Sequence, residues 1–417
     1  MGSIRLLLLF VPLFETTAIA QTGVKVSGRV LAAPGSTITR ASASLSAGRT
    51  RLSAQVSPDG NFEFEAVPPG KYSATVLGSV TTVPKQILVD TEDMTGIELI
   101  DCNWNTATQG LEQLWTLNGR FSGVVWDARA NVIRAVSGAT LLELDSAGRI
   151  MRQTPFGTAP TLRLAHFASQ ETVLLAFGTW SPDVRAVDLN GTELWRYTAG
   201  AVDDVYALDL DGDQSDEVIV GLNGSVGLHV LNSDGQLLWK STDIGNVWHV
   251  SAGDVLRQGA PQVVTTSARG QVHVFSDNGN SRTDLVPGFY ANMIRTGKIR
   301  AEDAGDTVFI GGASSDGSLR LAALAGDGSI QWTNDLSFDH RSIYSISLAE
   351  GKPWIAAGLQ GGEIVVVNAE GGVTIAAIDG QGFSPETTWM KSADDENSVL
   401  IVSTGSTLSA FRVTPGH

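Results

Sequence analysis

One cysteine, Cys102, in 417 residues excludes an intramolecular disulfide, a cysteine-rich zinc site and a C-x-x-C redox centre. Charged residues are few, at 17%, and cations are the scarcer sign: 28 Lys and Arg against 44 Asp and Glu, a net charge of −16. Such a chain has no basic stripe to neutralise phosphates, so no nucleic-acid partner is expected. Beyond residue 20 no apolar run is long enough for a membrane helix, so no membrane span is expected either. The catalytic signatures H-E-x-x-H and G-x-S-x-G are missing, as is a phosphate-binding glycine loop. The six histidines are scattered. His229 and His273 fall at equivalent strand positions and read as structural, which leaves His249 and His340 as the two worth testing for catalysis.

What is present is a turn-rich globular composition, 42% hydrophobic with 46 glycines. The N-terminus carries Arg5, an apolar run from Leu6 to Phe14, and Ala18 and Ala20 in an A-x-A cleavage pattern. That is the layout of a signal peptide over 1–20, which predicts a secreted or periplasmic mature chain of 417 − 20 = 397 residues. An uncleaved anchor is the alternative, but nine apolar residues are too few to span a bilayer.

Between 24 and 100, short runs of alternating apolar and polar residues are separated by turn signals, with no helical period. Asp59 and Gly60 supply a hairpin turn, Phe62 and Phe64 point to one face, and Pro68, Pro69 and Gly70 turn the chain into Tyr72. This stretch resembles the carboxypeptidase regulatory-like (transthyretin-like) domain family. The resemblance implies a small accessory β-sandwich without catalytic residues.

From 101 to 417 one unit recurs. Val184–Trp195, Leu228–Trp239 and Leu321–Trp332 each read as a strand, a glycine turn and a strand ending in tryptophan. The turn glycines are assigned as Gly148, Gly191, Gly235, Gly279, Gly328 and Gly371, spaced by 43, 44, 44, 49 and 43. A period near 44 with four strands per unit predicts a propeller. Innermost strands are expected to begin near Val124, Leu162, Val205, Val247, Ile294, Ile343 and Trp389, making seven blades. Leu111–Trp115 is left over, and is expected to pair with Thr407–Val413 and remove an exposed edge. The expected fold class is therefore all-β: a small antiparallel β-sandwich over 24–100, then a seven-bladed β-propeller over 101–417 closed by an N-terminal strand. The tryptophan-bearing copies resemble the repeats of quinoprotein-like (PQQ-type) propellers, although the single cysteine departs from the adjacent pair those enzymes commonly carry.

The acidic loop Asp209, Asp211, Asp213, Ser215, Asp216 and Glu217 is the strongest chemical motif, because hard cations take six to eight oxygen ligands. It resembles the FG-GAP/VCBS loop, and that resemblance implies a structural Ca2+ held by Asp209, Asp211, Asp213 and Glu217, with the Ser215 carbonyl. Asp216 can share or replace the role of Glu217. Gln214 stands where the family has glycine, and a solvated acidic turn remains the alternative.

Loops entering the innermost strands gather on one face. They and the strand starts carry Phe121, Tyr206, Trp248, Tyr290, Phe338, His340, Arg341, Phe383 and Trp389, an aromatic set suited to a glycan or protein ligand. The same residues can instead wedge between blades as core. Two functions follow. One is a non-enzymatic binding or assembly module. The other is an extracellular polysaccharide hydrolase or lyase using Asp204, His340, Arg341 and Glu386.

Overall fold

Two kinds of apolar run take different places in the sheets. Runs without alternation, such as Glu217–Leu222 and Gln262–Ser267, are buried on both faces, whereas Asn61–Val67 alternates between exposed and buried. The computed structural model describes residues 23–32, 37–47, 50–80, 82, 85–100, 111–314, 318–336, 342–349, 352–360, 362–372, 374–378, 386–391 and 398–413. Among them every regular element is a strand. No helix among the described residues is long and apolar enough to cross a membrane.

Residues 24–100 form two sheets. One orders Asn61–Val67, Val24–Leu31 and Met94–Ile100, and the other orders Thr50–Gln55, Ala41–Ala47, Gly70–Gly78 and Lys85–Val89. Both contribute to one apolar cluster that includes Val26, Leu45, Phe62, Phe64, Tyr72, Val76 and Leu99. Phe62 and Phe64 meet edge to face, with centroids 5.9 Å apart, and the Tyr72 hydroxyl donates to the Pro68 carbonyl at 2.9 Å. The expectation of a wholly antiparallel arrangement is corrected: Val24–Leu31 and Met94–Ile100 run parallel, because the chain crosses to the other sheet and returns between them.

Seven four-stranded antiparallel sheets follow among the described residues, numbered one to seven here. Their first strands are Ser122–Asp127, Thr161–Phe167, Val202–Leu208, Val247–Gly253, Tyr290–Gly297, Ile343–Leu348 and Glu386–Lys391. Sheets one to six are each built from consecutive strands. In sheet seven, Leu111–Asn118 pairs with Thr407–Val413, with Trp115 opposite Ala410. Each first strand packs beside the next, and that of sheet seven packs beside that of sheet one. Every neighbouring pair of sheets shares its own apolar cluster. The cluster between sheets seven and one holds Phe121, Val124, Ile133, Met390, Ile401 and Leu408. Each fully buried Val, Leu or Ile contributes roughly 1.5–3 kcal/mol, so these clusters dominate cohesion.

Tryptophans on outer strands explain four of the turn glycines, whereas Gly191 faces the Pro155 carbonyl and Gly328 faces Leu285. The Trp239 ring covers Gly279 so closely that a Cβ there would lie 2.6 Å from it, and the Trp239 indole donates to the Asp277 carbonyl at 2.7 Å. Trp115 on Gly148 and Trp195 on Gly235 repeat the arrangement. In sheet six the docked glycine is Gly372, at φ 68°, and not Gly371 as the spacing suggests.

Candidate ligand cavity and acidic loop

The seven first strands surround a cavity of about 290 Å3, at the small end of the roughly 300–1,000 Å3 usual for ligand sites. Its wall includes Thr161, Arg163, Asp203, Asp204, Tyr206, His249, Arg295, Tyr344 and Glu386. A repeated irregularity places several of them. Five first strands carry one extra residue near their start, at Gly123, Asp203, Trp248, Asn292 and Tyr344. Such a bulge re-aims side chains. In sheet three it leaves the consecutive residues Asp203 and Asp204 both on the cavity wall.

Asp204 is the hub. It accepts from Arg163 Nη2 at 3.1 Å, Arg295 Nη1 at 2.9 Å, His249 Nδ1 at 3.2 Å and the Val250 amide at 3.3 Å. These donors tie sheet three to sheets two, four and five. Burial acts to raise its pKa, but the charges of Arg295 and Arg163 overcome this and hold the carboxyl well below the usual carboxylate range. Glu386 accepts from the Val124 amide at 3.2 Å across sheets seven and one. Burial pushes Glu386 up, against the opposing charge of Arg163. Burial also lifts Asp203 to about 7, helped by the charge of Asp204 and opposed by hydrogen bonding from the Trp180 and Asn223 side chains. Asp203 Oδ2 is buried with no hydrogen-bond partner.

The residues expected on a binding face separate. Tyr206 lines the cavity. Trp248 is half-buried and meets Tyr290 edge to face at 5.9 Å, away from the cavity wall, and the Tyr290 hydroxyl donates to Ala268. Two assignments are corrected. Trp389 is packed between sheets six and seven, because its strand begins three residues earlier, at Glu386; its indole donates to the Ser347 carbonyl. Phe121 is buried between sheets seven and one. Phe338, His340, Arg341 and Phe383 lie outside the described residues. Trp180, outside the expected binding set, stands 71% exposed beside Asp203. A turn signal at Ser181 and Pro182 marks its loop but says nothing of its exposure.

In the acidic loop, oxygens of Asp209, Asp211 and Glu217 lie within 4.8 Å of one another. Backbone amides already organise them: Gly212 and Gln214 donate to Asp209, Asp213 to Asp211, and Leu210 to Glu217. Asp213 accepts from the Ser215 amide and is not in that converging set. The Ser215 hydroxyl accepts from the Ala168 amide. Asp216 is corrected away from the cluster, since its carboxylate accepts from the His166 amide, 2.7 Å away in sheet two. Burial, with the negative charges of Asp211, Asp213 and Asp209, lifts Glu217 to about 7. Gln214 sits at φ 71°, a conformation glycine adopts without strain.

The family model for the lambda-carrageenase beta-propeller domain matches residues 177–301, a stretch that holds Asp203, Asp204, the acidic loop, His249 and Arg295. A crystal structure of the computationally designed Ika8 protein is 15% identical, covering 73% of this chain and 100% of that one, with a TM-score of 0.47. No curated protein matches. The chain is all-β and carries a β-propeller domain that over residues 177–301 is similar to that of lambda-carrageenase.

Proposed function

We propose that this is an exported, non-enzymatic glycan-binding protein whose ligand enters the cavity among the first strands. The observation that carries the reading is the wall itself: acids, arginines, a histidine, hydroxyls and tyrosines converge on one small hollow. Saccharide hydroxyls need such alternating donors and acceptors, with aromatic surface for their apolar faces. The similarity to a carrageenase domain supports a glycan over a protein ligand. The reading takes residues 1–20 as a signal peptide, 24–100 as an accessory sandwich resembling the carboxypeptidase regulatory-like family, and 101–417 as a seven-bladed ring. Support for the ring comes from the cycle of first-strand neighbours and the pairing of Leu111–Asn118 with Thr407–Val413.

Isothermal titration with oligosaccharides of λ-carrageenan, agarose, alginate and cellulose tests it. Saturable binding of at least one is expected, weakened about tenfold by Tyr344→Ala, which removes one aromatic wall. Titration of all four without heat would defeat the reading.

Cleavage is the second reading. It is favoured by two carboxyls in one cavity shifted in opposite directions, Asp204 down and Glu386 up, the pattern that assigns base and acid in many hydrolases. Binding is preferred because the oxygens of Asp204 are occupied by four donors. Reducing ends released by wild type and not by Glu386→Gln would establish cleavage instead.

The acidic loop is proposed to hold one structural Ca2+ through Asp209, Asp211 and Glu217, whose hard oxygens suit that ion. Bound calcium would neutralise the crowded carboxylates. Chelation is expected to lower the melting temperature by roughly 5 °C, and Asp209→Asn with Asp211→Asn to abolish that response. A melting temperature indifferent to chelator and calcium would remove the metal.

A further inference from the structure

Trp180 occupies an unfavourable backbone position in order to stand in solvent. Its φ is 64°, a left-handed conformation that a bulky residue rarely adopts. The loop around it enforces this. The Trp180 amide donates to the Val202 carbonyl at 2.6 Å, the Val202 amide donates to the Ser181 carbonyl at 2.8 Å, and the Ser181 hydroxyl donates to the Asp183 carbonyl at 2.7 Å. The indole so held is 71% exposed and stands beside Asp203. The neighbouring Thr179 lines the cavity, which puts the indole at its rim.

Asp203 supplies the second observation. It is 9% exposed, lines the cavity and leaves Oδ2 buried without a partner. A buried polar atom without a partner costs stability, so a fold retains one where something else completes it. An exposed flat ring and an unsatisfied acceptor, side by side at the mouth of a polar hollow, match the two kinds of surface of a pyranose. The ring face of C–H groups stacks on an aromatic, and an adjacent hydroxyl donates to a carboxylate.

We propose that Trp180 and Asp203 form a saccharide subsite at the cavity rim, with a pyranose ring stacked on the indole and one of its hydroxyls donating to Asp203 Oδ2. The subsite rests on the glycan-binding reading and gives it an address. Trp180 belongs to none of the apolar clusters, and Asp203 Oδ2 makes no hydrogen bond within the fold.

The experiment titrates the tightest-binding oligosaccharide of the four-glycan panel into wild type, Trp180→Gly and Asp203→Ala, and measures each melting temperature at pH 8. Glycine suits φ 64° and alanine removes a buried carboxyl, so both variants are expected to melt within a few degrees of wild type or higher. Both are expected to bind at least tenfold more weakly. Wild-type affinity in either variant would overturn the subsite while leaving the cavity reading intact. A fall of more than about 5 °C in both would also overturn it, by making the pair structural. A wild type that binds none of the four glycans would overturn the glycan-binding reading and the subsite with it.

Discussion

Asp204→Asn is expected to cost about 3–5 kcal/mol of unfolding free energy at pH 7, measured by urea denaturation. The carboxylate is 2% exposed, and Arg295, one of its partners, is 8% exposed. Removing the charge takes from Arg295 and Arg163 the carboxylate they share, and the neutral amide cannot accept from four donors. The damage spreads because those donors come from three other sheets, two, four and five. Replacing Arg295 by methionine in the same chain should recover part of the loss, since an apolar pair of similar volume avoids the uncompensated charge. The sign with pH follows from the depressed pKa of Asp204. Its contribution is fully present above the unfolded value of about 4 and is lost as pH falls through the lower folded value. Wild type should therefore lose its advantage over Asp204→Asn in acid. A difference between the two that does not shrink in acid would contradict the hub.

Trp332→Ala is the other large effect, about 3–5 kcal/mol. Trp332 is 9% exposed, its ring covers Gly372, and its indole donates to the Ala369 carbonyl at 2.6 Å. Truncation would empty the contact between sheets five and six and leave that carbonyl without its donor. The half-buried Trp195 and Trp239, with the same docking but more solvent, should each cost less. Approaching from the other side, Gly372→Ala meets the ring at 2.5 Å and forces alanine into φ 68°, so it should destabilise sheet six even though it adds only a methyl. Equal losses for Trp332, Trp195 and Trp239 would show that burial does not set the ranking.

The tryptophan–glycine spacing made this part of the chain legible, because a ring that docks on a neighbour needs a glycine at a fixed distance along the repeat. The pairing of Leu111–Asn118 with Thr407–Val413 was legible for a similar reason: one strand was left over and one sheet was short. The site was harder to read. Period-two reasoning assumes an unbroken strand, but the extra residues at Asp203, Trp248, Asn292 and Tyr344 reset which side chains face inward. Trp248 and Tyr206 look equivalent if their strands start at Val247 and Val205, but the first strand of sheet three starts at Val202, so Trp248 matches Asp203 and Tyr206 matches Ser251. Trp389 looked like a strand start, whereas its strand begins at Glu386, and those three residues carry it into the core. The arginines that turn Asp204 into a hub come from strands 41 and 91 residues away, beyond the reach of local spacing.

A glycan is expected to occupy the hollow among the first strands. Hydrogen–deuterium exchange of the protein with and without its tightest-binding oligosaccharide tests this most directly. Slowed exchange is expected at 161–163, 178–182, 202–206 and 246–250, with outer strands such as Glu193–Tyr197 unchanged. Protection confined to outer strands or to residues 24–100 would contradict it.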